Sequence, residues 1–260
     1  MKLRFLGTGT SFGVPVVGCD CAVCTSDDPR DRRTRHSALL EDEAGGGRIL
    51  VDTPPEMRMQ LLAAGVRSVD AVWITHIHAD HTHGVDDLRA FSARAREPVQ
   101  VYASEACLAE LNSRFPYIFD PTAEPLVGVS RPDVRSHVIR PYEPVQIAGI
   151  SLLPLPVPHG SLQPLGFRAG DLGYITDGKR LPERTFEALK GVRTLVLNAL
   201  WFGNPHPTHF SMEEAAEVAA EVGAERTYLT HISHRAGHRE MFKRLPAGVE
   251  PAYDGLVVDL

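Results

Sequence analysis

The chain has 260 residues, 43% of them hydrophobic and 23% charged, with a formal net charge of −6. These values fit one large or two small globular domains, and a net-negative surface disfavours nucleic acid as a partner unless basic residues are concentrated locally. No run approaches the ~18–20 apolar residues of a membrane span, and the opening MKLRFLGTGTSFGVP lacks the apolar stretch of a signal peptide, so a cytoplasmic location is expected.

In chain order, KLRFL at 2–6 reads as the first strand. A loop follows that holds GCDCAVC and then the basic run RDRRTR at 30–35. HSALLED at 36–42 and RILVD at 48–52 read as two more strands. PPEMRMQLLAAG reads as a helix with proline near its first turn and Gly65 at its stop. AVWIT at 71–75 is a strand running into a histidine cluster, and VQVYA at 99–103 is another. SEACLAELNSRF and, later, SMEEAAEVAAEVG have serine caps and acidic first turns.

The proline-rich stretch 115–135 has no clear period and reads as an insertion over one edge, shaping a pocket or a homodimer contact. Strand-like runs then return: SHVIR at 136–140, ISLLPLPV at 150–157, GYIT at 173–176, TLVLNAL at 194–200, RTYLT at 226–230 and GLVVD at 255–259. Runs of strands followed by a helix, repeated in the second half, suit two sheets packed face to face with helices outside. The expected fold is α/β, an αββα sandwich formed by a single domain over 1–260.

Residues 76–83, HIHADHTH, place four histidines around Asp80. Neutral imidazole and carboxylate are the usual ligands of a divalent transition metal. His76 begins where AVWIT ends, and in an extended stretch His76 and His78 point the same way. Asp80 and His81 lie beyond the bend, within reach of a second ion. His159, Asp177 and His231 likewise stand where apolar strands stop. A carboxylate at Asp177 can bridge two ions, and a metal pair roughly 3.5–4 Å apart activates the water between them.

THIHADH, with VDT upstream and His159, Asp177 and His231 downstream, resembles the metallo-β-lactamase-fold hydrolases over essentially the whole chain. The resemblance implies one ion at His76, His78 and His159, a second at Asp80, His81 and His231, and Asp177 between them. It also implies that the Asp52 carboxylate orients a ligand histidine from behind. The donor types accept zinc, manganese or iron.

Cys19, Cys21 and Cys24 supply three thiolates, one short of a closed zinc site. His234, three residues after His231 in THISH, is the favoured fourth ligand, and His36 is its rival. Three reduced, metal-free thiols are the plainer alternative. GC-x-C-x-x-C and LTHISH are similar to the cyclic-phosphate phosphodiesterases of the bacterial carbon–phosphorus lyase pathway, which implies a structural zinc loop at about 18–36. Cys107, in a helical pattern, reads as packing.

His209 in HPTHFSMEEA belongs to none of the metal motifs. The resemblance implies that it contacts the scissile phosphate and serves as general acid, with His206 the alternative. His83 reads as a loop residue or as one supporting the ligands from behind, and His137 and His238 as surface residues. The arginines at 30–35 either steer an anionic substrate or, as preferred here, lie on a solvated loop.

The function implied is a dinuclear-metal phosphodiesterase, with Asp80 and His209 as catalytic residues, acting on a small cyclic nucleotide-like or ribose phosphodiester such as a phosphoribosyl 1,2-cyclic phosphate. RNA 3′-end processing and acyl (lactone or thioester) hydrolysis on the same fold are alternatives. So is a non-hydrolytic, zinc-holding role in pyrroloquinoline quinone biosynthesis, whose branch carries a similar cysteine-rich N-terminus.

Overall fold

The computed structural model describes residues 1–42, 44–123 and 130–260. In its first half, apolar runs form β1 (Lys2–Gly7), β2 (Ser37–Glu41), β3 (Arg48–Val51), β4 (Ala71–Trp73), β5 (Val99–Ala103) and β6 (Val134–Val138). The second half supplies β7 (Val145–Ile147), β8 (Ile150–Pro156), β9 (Leu165–Ala169), β10 (Leu172–Tyr174), β11 (Thr194–Asn198), β12 (Arg226–Thr230) and β13 (Val249–Pro251). A last strand, β14 (Val257–Asp259), returns to the first sheet. The sheet orders are β14-β1-β2-β3-β4-β5-β6 and β13-β12-β11-β10-β9-β8-β7.

Each sheet is antiparallel on one side and parallel on the other. β3 to β6 run parallel in the first sheet, and β10 to β13 in the second. Parallel strands inside a sheet need both faces covered, which explains the near-continuous apolar runs of β4 and β11, whereas β5 and the edge strands β6 and β13 alternate or carry polar residues. The helices that cover them are α1 (Met57–Ala63), α2 (Ala79–Thr82), α3 (Arg89–Ala95), α4 (Glu105–Arg114), α5 (Pro116–Phe119), α6 (Glu183–Leu189), α7 (Met212–Val222) and α8 (His238–Arg244).

Three apolar clusters correspond to three layer interfaces. Leu3, Phe5, Ile49, Trp73, Phe167, Tyr174 and Val196 pack between the sheets. Leu50, Val72, Met57, Leu111 and Phe119 seal the first sheet under its helices, while Leu195, Leu197, Met212, Ala215 and Met241 seal the second. The αββα sandwich is therefore present. Trp73 Nε1 donates across the inner layer to the Leu165 carbonyl at 2.8 Å, so the indole N–H is satisfied where water cannot reach it.

The caps expected for α4 and α7 are formed. Ser104 Oγ accepts from Cys107 N, and Ser211 with Glu214 makes a reciprocal capping box that sets where α7 begins. The α1 chain leaves its helix through Gly65, whose φ of 67° is left-handed.

Several readings are corrected. The strand placed at 136–140 begins two residues earlier and ends at Val138. β7, β9 and β13 are strands that the sequence did not announce, and α3, α6 and α8 are unannounced helices. β7 and β13 have three residues each, too short to show a period. In the stretch 115–135, Ile118 and Phe119 of α5 are buried against the first sheet, while 124–129 lie outside the described residues.

Candidate metal centres

The parallel strands end at one edge of the sandwich, and the loops leaving them carry the polar residues. Three of these residues have left-handed backbones without being glycine: Asp52 (φ 61°), Asp177 (φ 53°) and His231 (φ 57°). Such conformations cost free energy in non-glycine residues and persist where the surroundings fix them. Here they turn each side chain inward as its strand ends. Gly84 closes the histidine loop on the neighbouring segment, donating to the Thr53 carbonyl at 2.7 Å. A Cβ at Gly84 would lie 2.1 Å from the Pro54 carbonyl oxygen, so no other residue fits there without rearrangement.

All seven expected ligands converge. His76 Nε2 lies 2.9 Å from His78 Nδ1 and 3.6 Å from Asp177 Oδ2, and His159 Nε2 lies 3.9 Å from that oxygen. On the other side, His81 Nε2 is 3.5 Å from Asp80 Oδ2 and 3.3 Å from Asp177 Oδ2. His231 Nε2 is 3.5 Å from both Asp80 Oδ2 and Asp177 Oδ1. Asp177 thus touches both groups, one carboxylate between two sets of imidazoles.

The donors fit divalent ions. Ligands bound at ~2.0–2.2 Å stand about 3–3.6 Å apart around a common ion, close to the separations found. His81 Nε2 and His231 Nε2 are buried with no hydrogen-bond partner, a cost that a bound cation removes. Burial alone would raise the Asp177 and Asp80 carboxyls, but the imidazoles around them hold both well below the usual carboxylate range. Burial opposes a charge on His81 too, yet Asp177, Asp80 and Asp52 raise its pKa well above the ordinary value. Burial pushes His76, His78 and His159 down, which favours the neutral, ligating form.

Behind the donors lies a supporting layer. His81 Nδ1 donates to Asp52 Oδ2 at 2.7 Å, leaving its Nε2 to face inward. Asp52 is held in turn by Thr75, whose backbone N–H and hydroxyl both donate to it. His159 Nδ1 donates to the Thr208 carbonyl at 3.1 Å. The role expected for Asp52 therefore has its geometry. Thr75 and Thr208 were missed; Thr208 acts through its carbonyl, which carries no residue signature.

His209 is brought closer to the donors than its place outside the motifs implied. Its Nε2 stands 3.5 Å from Asp177 Oδ2, not aligned for a hydrogen bond, and its ring stacks on His231 with centroids 4.9 Å apart. Burial lowers its pKa, and Asp177 pulls the other way. His206 sits one layer out, its Nδ1 3.2 Å from His209 Nδ1.

The cysteine loop forms a second cluster. His234 Nδ1 lies 3.3, 3.4 and 3.5 Å from the sulfurs of Cys19, Cys21 and Cys24. A tetrahedral zinc with Zn–S ~2.3 Å and Zn–N ~2.0–2.1 Å places nitrogen and sulfur about 3.5 Å apart. The set fits. The Cys24 N–H and the His234 ring lower the Cys21 thiol to about 6, whereas burial raises Cys24 to about 11.

His36 is not part of that cluster. It is fully buried between the sheets, with Tyr174 Oη 2.7 Å from its Nε2 and Thr230 Oγ1 3.2 Å from its Nδ1. The basic run is solvated only in part: Arg32 is exposed and Arg30 and Arg35 are half-buried. Arg33 is 0% exposed, donating to Asp31, to the Ser233 carbonyl and to the Ala236 carbonyl. Arg30 pairs with Asp28, and Arg35 with Glu56. His238, expected on the surface, is buried, its backbone N–H donating to Asp31 Oδ1. His137 is half-buried, stacked on Tyr102, and His83 is exposed in the turn after α2, a loop position that supports none of the ligands.

The family model described as "Beta-lactamase superfamily domain" matches residues 47–232, which contain every strand-end donor. The chain belongs to the beta-lactamase superfamily. Within it, the chain is PhnP-like: a crystal structure described as a new diphosphatase from the PhnP family superposes with a TM-score of 0.90 at 38% identity, covering 100% of this chain and 97% of that one. An octanoyltransferase of Porphyromonas gingivalis is 39% identical over 257 residues, 98% of this chain and 51% of that protein. A coenzyme PQQ synthesis protein B of Methylobacterium nodulans is 29% identical over 168 residues, 60% of this chain and 52% of that protein. The chain thus spans about half the length of these two relatives. Among the described residues, no helix is long and apolar enough to cross a membrane.

Proposed function

We propose that this protein, a metal-dependent hydrolase by family and by donor set, cleaves small phosphodiesters at a dinuclear centre. The observation that carries the reading is His209, an imidazole outside both ligand triads whose unpartnered Nε2 faces the shared carboxylate of Asp177. His76, His78 and His159 would hold one ion, Asp80, His81 and His231 the other, and Asp177 both. When bound, divalent ions make a water nucleophilic near neutral pH and stabilise charge on the phosphoryl group.

The chain's own residues do the rest. Asp52 keeps the His81 proton on Nδ1, and the Thr208 carbonyl does the same for His159. Asp80 sits against two ligand histidines and fixes their spacing. His209 Nε2 delivers a proton to the departing oxygen. The cysteine set and His234 would hold a zinc that orders the N-terminal loop and takes no part in the reaction.

Phosphoryl chemistry is favoured by the likeness to the PhnP-family diphosphatase over the full length of both chains. A small ribose cyclic phosphate remains the substrate class implied by the cysteine and LTHISH motifs. An acyl reading draws on the relative named an octanoyltransferase, of which this chain spans 51%. One assay separates the two. Manganese- or zinc-loaded protein is given bis-p-nitrophenyl phosphate, a thioester and a lactone. Turnover of the diester alone is expected; turnover of an acyl substrate with an inert diester contradicts the reading.

A further inference from the structure

Asp52, Asp177 and His231 turn left-handed beyond the ends of β3, β10 and β12, and one dipeptide at the start of β2 reaches all three segments. Ser37 Oγ donates to the Val51 carbonyl at 2.9 Å and to the Asp52 carbonyl at 3.3 Å. Its neighbour His36 meets the other two, with Nε2 2.7 Å from Tyr174 Oη and Nδ1 3.2 Å from Thr230 Oγ1. A neutral imidazole donates at one nitrogen and accepts at the other, so His36 holds both hydroxyls at once. The paired register ends at Tyr174 in β10 and at Thr230 in β12. Thr230 immediately precedes His231, and Tyr174 stands shortly before Asp177. His36 thus grips two ligand strands where sheet pairing stops.

The ligand histidines differ in what stands behind them. His81 Nδ1 donates to Asp52, His159 Nδ1 to the Thr208 carbonyl, and His76 Nδ1 lies 3.0 Å from Thr75 Oγ1. His231 has no such support: among the described residues, its buried Nδ1 has no hydrogen-bond partner. Its ring lies instead 6.2 Å, centroid to centroid, from the His36 ring, which is also 5.5 Å from that of His81. His36, Tyr174 and Thr230 are all 0% exposed. A leucine would fill this space without burying an imidazole and two hydroxyls, so packing alone is a poor account of the triad.

We propose that His36 is the positioning residue of the second ion, tying Tyr174 to Thr230 so that Asp177 and His231 leave their turns at ligand separation. This rests on the dinuclear reading of the donors. Left-handed turns at non-glycine residues persist where their surroundings fix them, and here His36 supplies part of that fixing. His231 Nε2 stands 3.5 Å from both Asp177 Oδ1 and Asp80 Oδ2. Loosening the His231 turn therefore opens the second ion's donor set first, because His76, His78 and His159 are held from other elements.

The test reads metal affinity, so it stands apart from turnover. Thr230→Val deletes one hydroxyl at nearly constant shape, and His36→Leu deletes both bonds. Metal-stripped protein is reloaded with manganese, which imidazole and carboxylate accept and soft thiolates do not select, and is competed against a chelator. Partners behind a metal ligand are worth about 10–100-fold in affinity. Thr230→Val should weaken one manganese ion by about tenfold, the same ion that Asp80→Asn releases, and leave the other unchanged. His36→Leu should weaken that ion at least as much, and adding Thr230→Val to it should cost nothing further. His36→Gln, whose amide keeps a donor and an acceptor, should recover part of the loss. Wild-type affinity for both ions in Thr230→Val, equal weakening of the two, or losses that add in the double variant overturns the proposal. A single manganese ion in the wild type would instead remove the dinuclear reading, and His36 then keeps its role only if Thr230→Val weakens that ion.

Discussion

His231 and His234 are three residues apart, yet they serve clusters built in opposite ways. His231 ends a parallel strand, is buried, and joins carboxylates and imidazoles, with its own backbone and that of Asp177 held in left-handed turns. His234 lies half-buried on a loop and meets three thiolates from another loop with no strand behind them. The sheets hold the first cluster in place before any ion arrives. The second must draw its order from the ion and from a few buried contacts. Rigid strand ends suit chemistry; a soft thiolate set suits a structural zinc.

The sharpest way to separate the two is to disable one and watch the other. His209→Ala should cut turnover of a ribose cyclic phosphate by about 10²–10⁴-fold, the usual worth of general-acid assistance. Turnover of an activated aryl diester should fall much less, because p-nitrophenolate needs little proton help. Equal losses on both substrates would assign His209 to phosphate binding alone. Asp52→Asn acts one step behind the donors. It should cost about 10–100-fold in metal affinity or activity, measured by competition with a chelator, and leave the cysteine site loaded. Unchanged affinity would mean that the bond to His81 orients nothing.

Arg33→Met probes the other side. Removing one partner of a buried ion pair costs about 3–5 kcal/mol, so the midpoint of urea unfolding should drop clearly. Turnover per folded molecule should change little. A large loss of turnover with unaltered stability would show that the cysteine loop takes part in catalysis.

The smallest effect concerns His238, which packs on the same network. Burial lowers its pKa from 6.5 to about 4 in the folded protein. Between those values the unfolded chain binds the extra proton, so stability is complete above pH 6.5 and declines as pH falls toward 4. His238→Gln should flatten the urea stability profile over that interval. A profile as steep as the wild type's would place the dependence elsewhere.

These contrasts also explain what could be read from the residues. The seven strand-end donors were legible because ligand-type residues stood where apolar runs stopped, and the sheet edge then gathered them. The cysteine set was legible from its spacing. What the sequence concealed depends on tertiary surroundings. A charge run usually means solvent, but Arg33 finds Asp31 and two carbonyls inside the protein. His36 was a rival zinc ligand by proximity in sequence, and the pairing of β1, β2 and β3 instead carries it between the sheets to Tyr174. The left-handed turns at Asp52, Asp177 and His231 follow from the loops closing over one edge, which no local pattern records. β9 was hidden for a simpler reason: LGFRA mixes a glycine and an arginine into a short strand.

The central claim is that two separate clusters hold metal, one of them around a shared Asp177. Elemental analysis of protein purified without added metal tests it most directly, using the wild type, Asp177→Ala and Cys21→Ser. The wild type should carry close to three ions per chain. Asp177→Ala should retain about one, as zinc, and Cys21→Ser should lose about one zinc while keeping the other two. Wild-type metal content in Asp177→Ala, or loss of the strand-end ions in Cys21→Ser with the fold intact, would contradict the account.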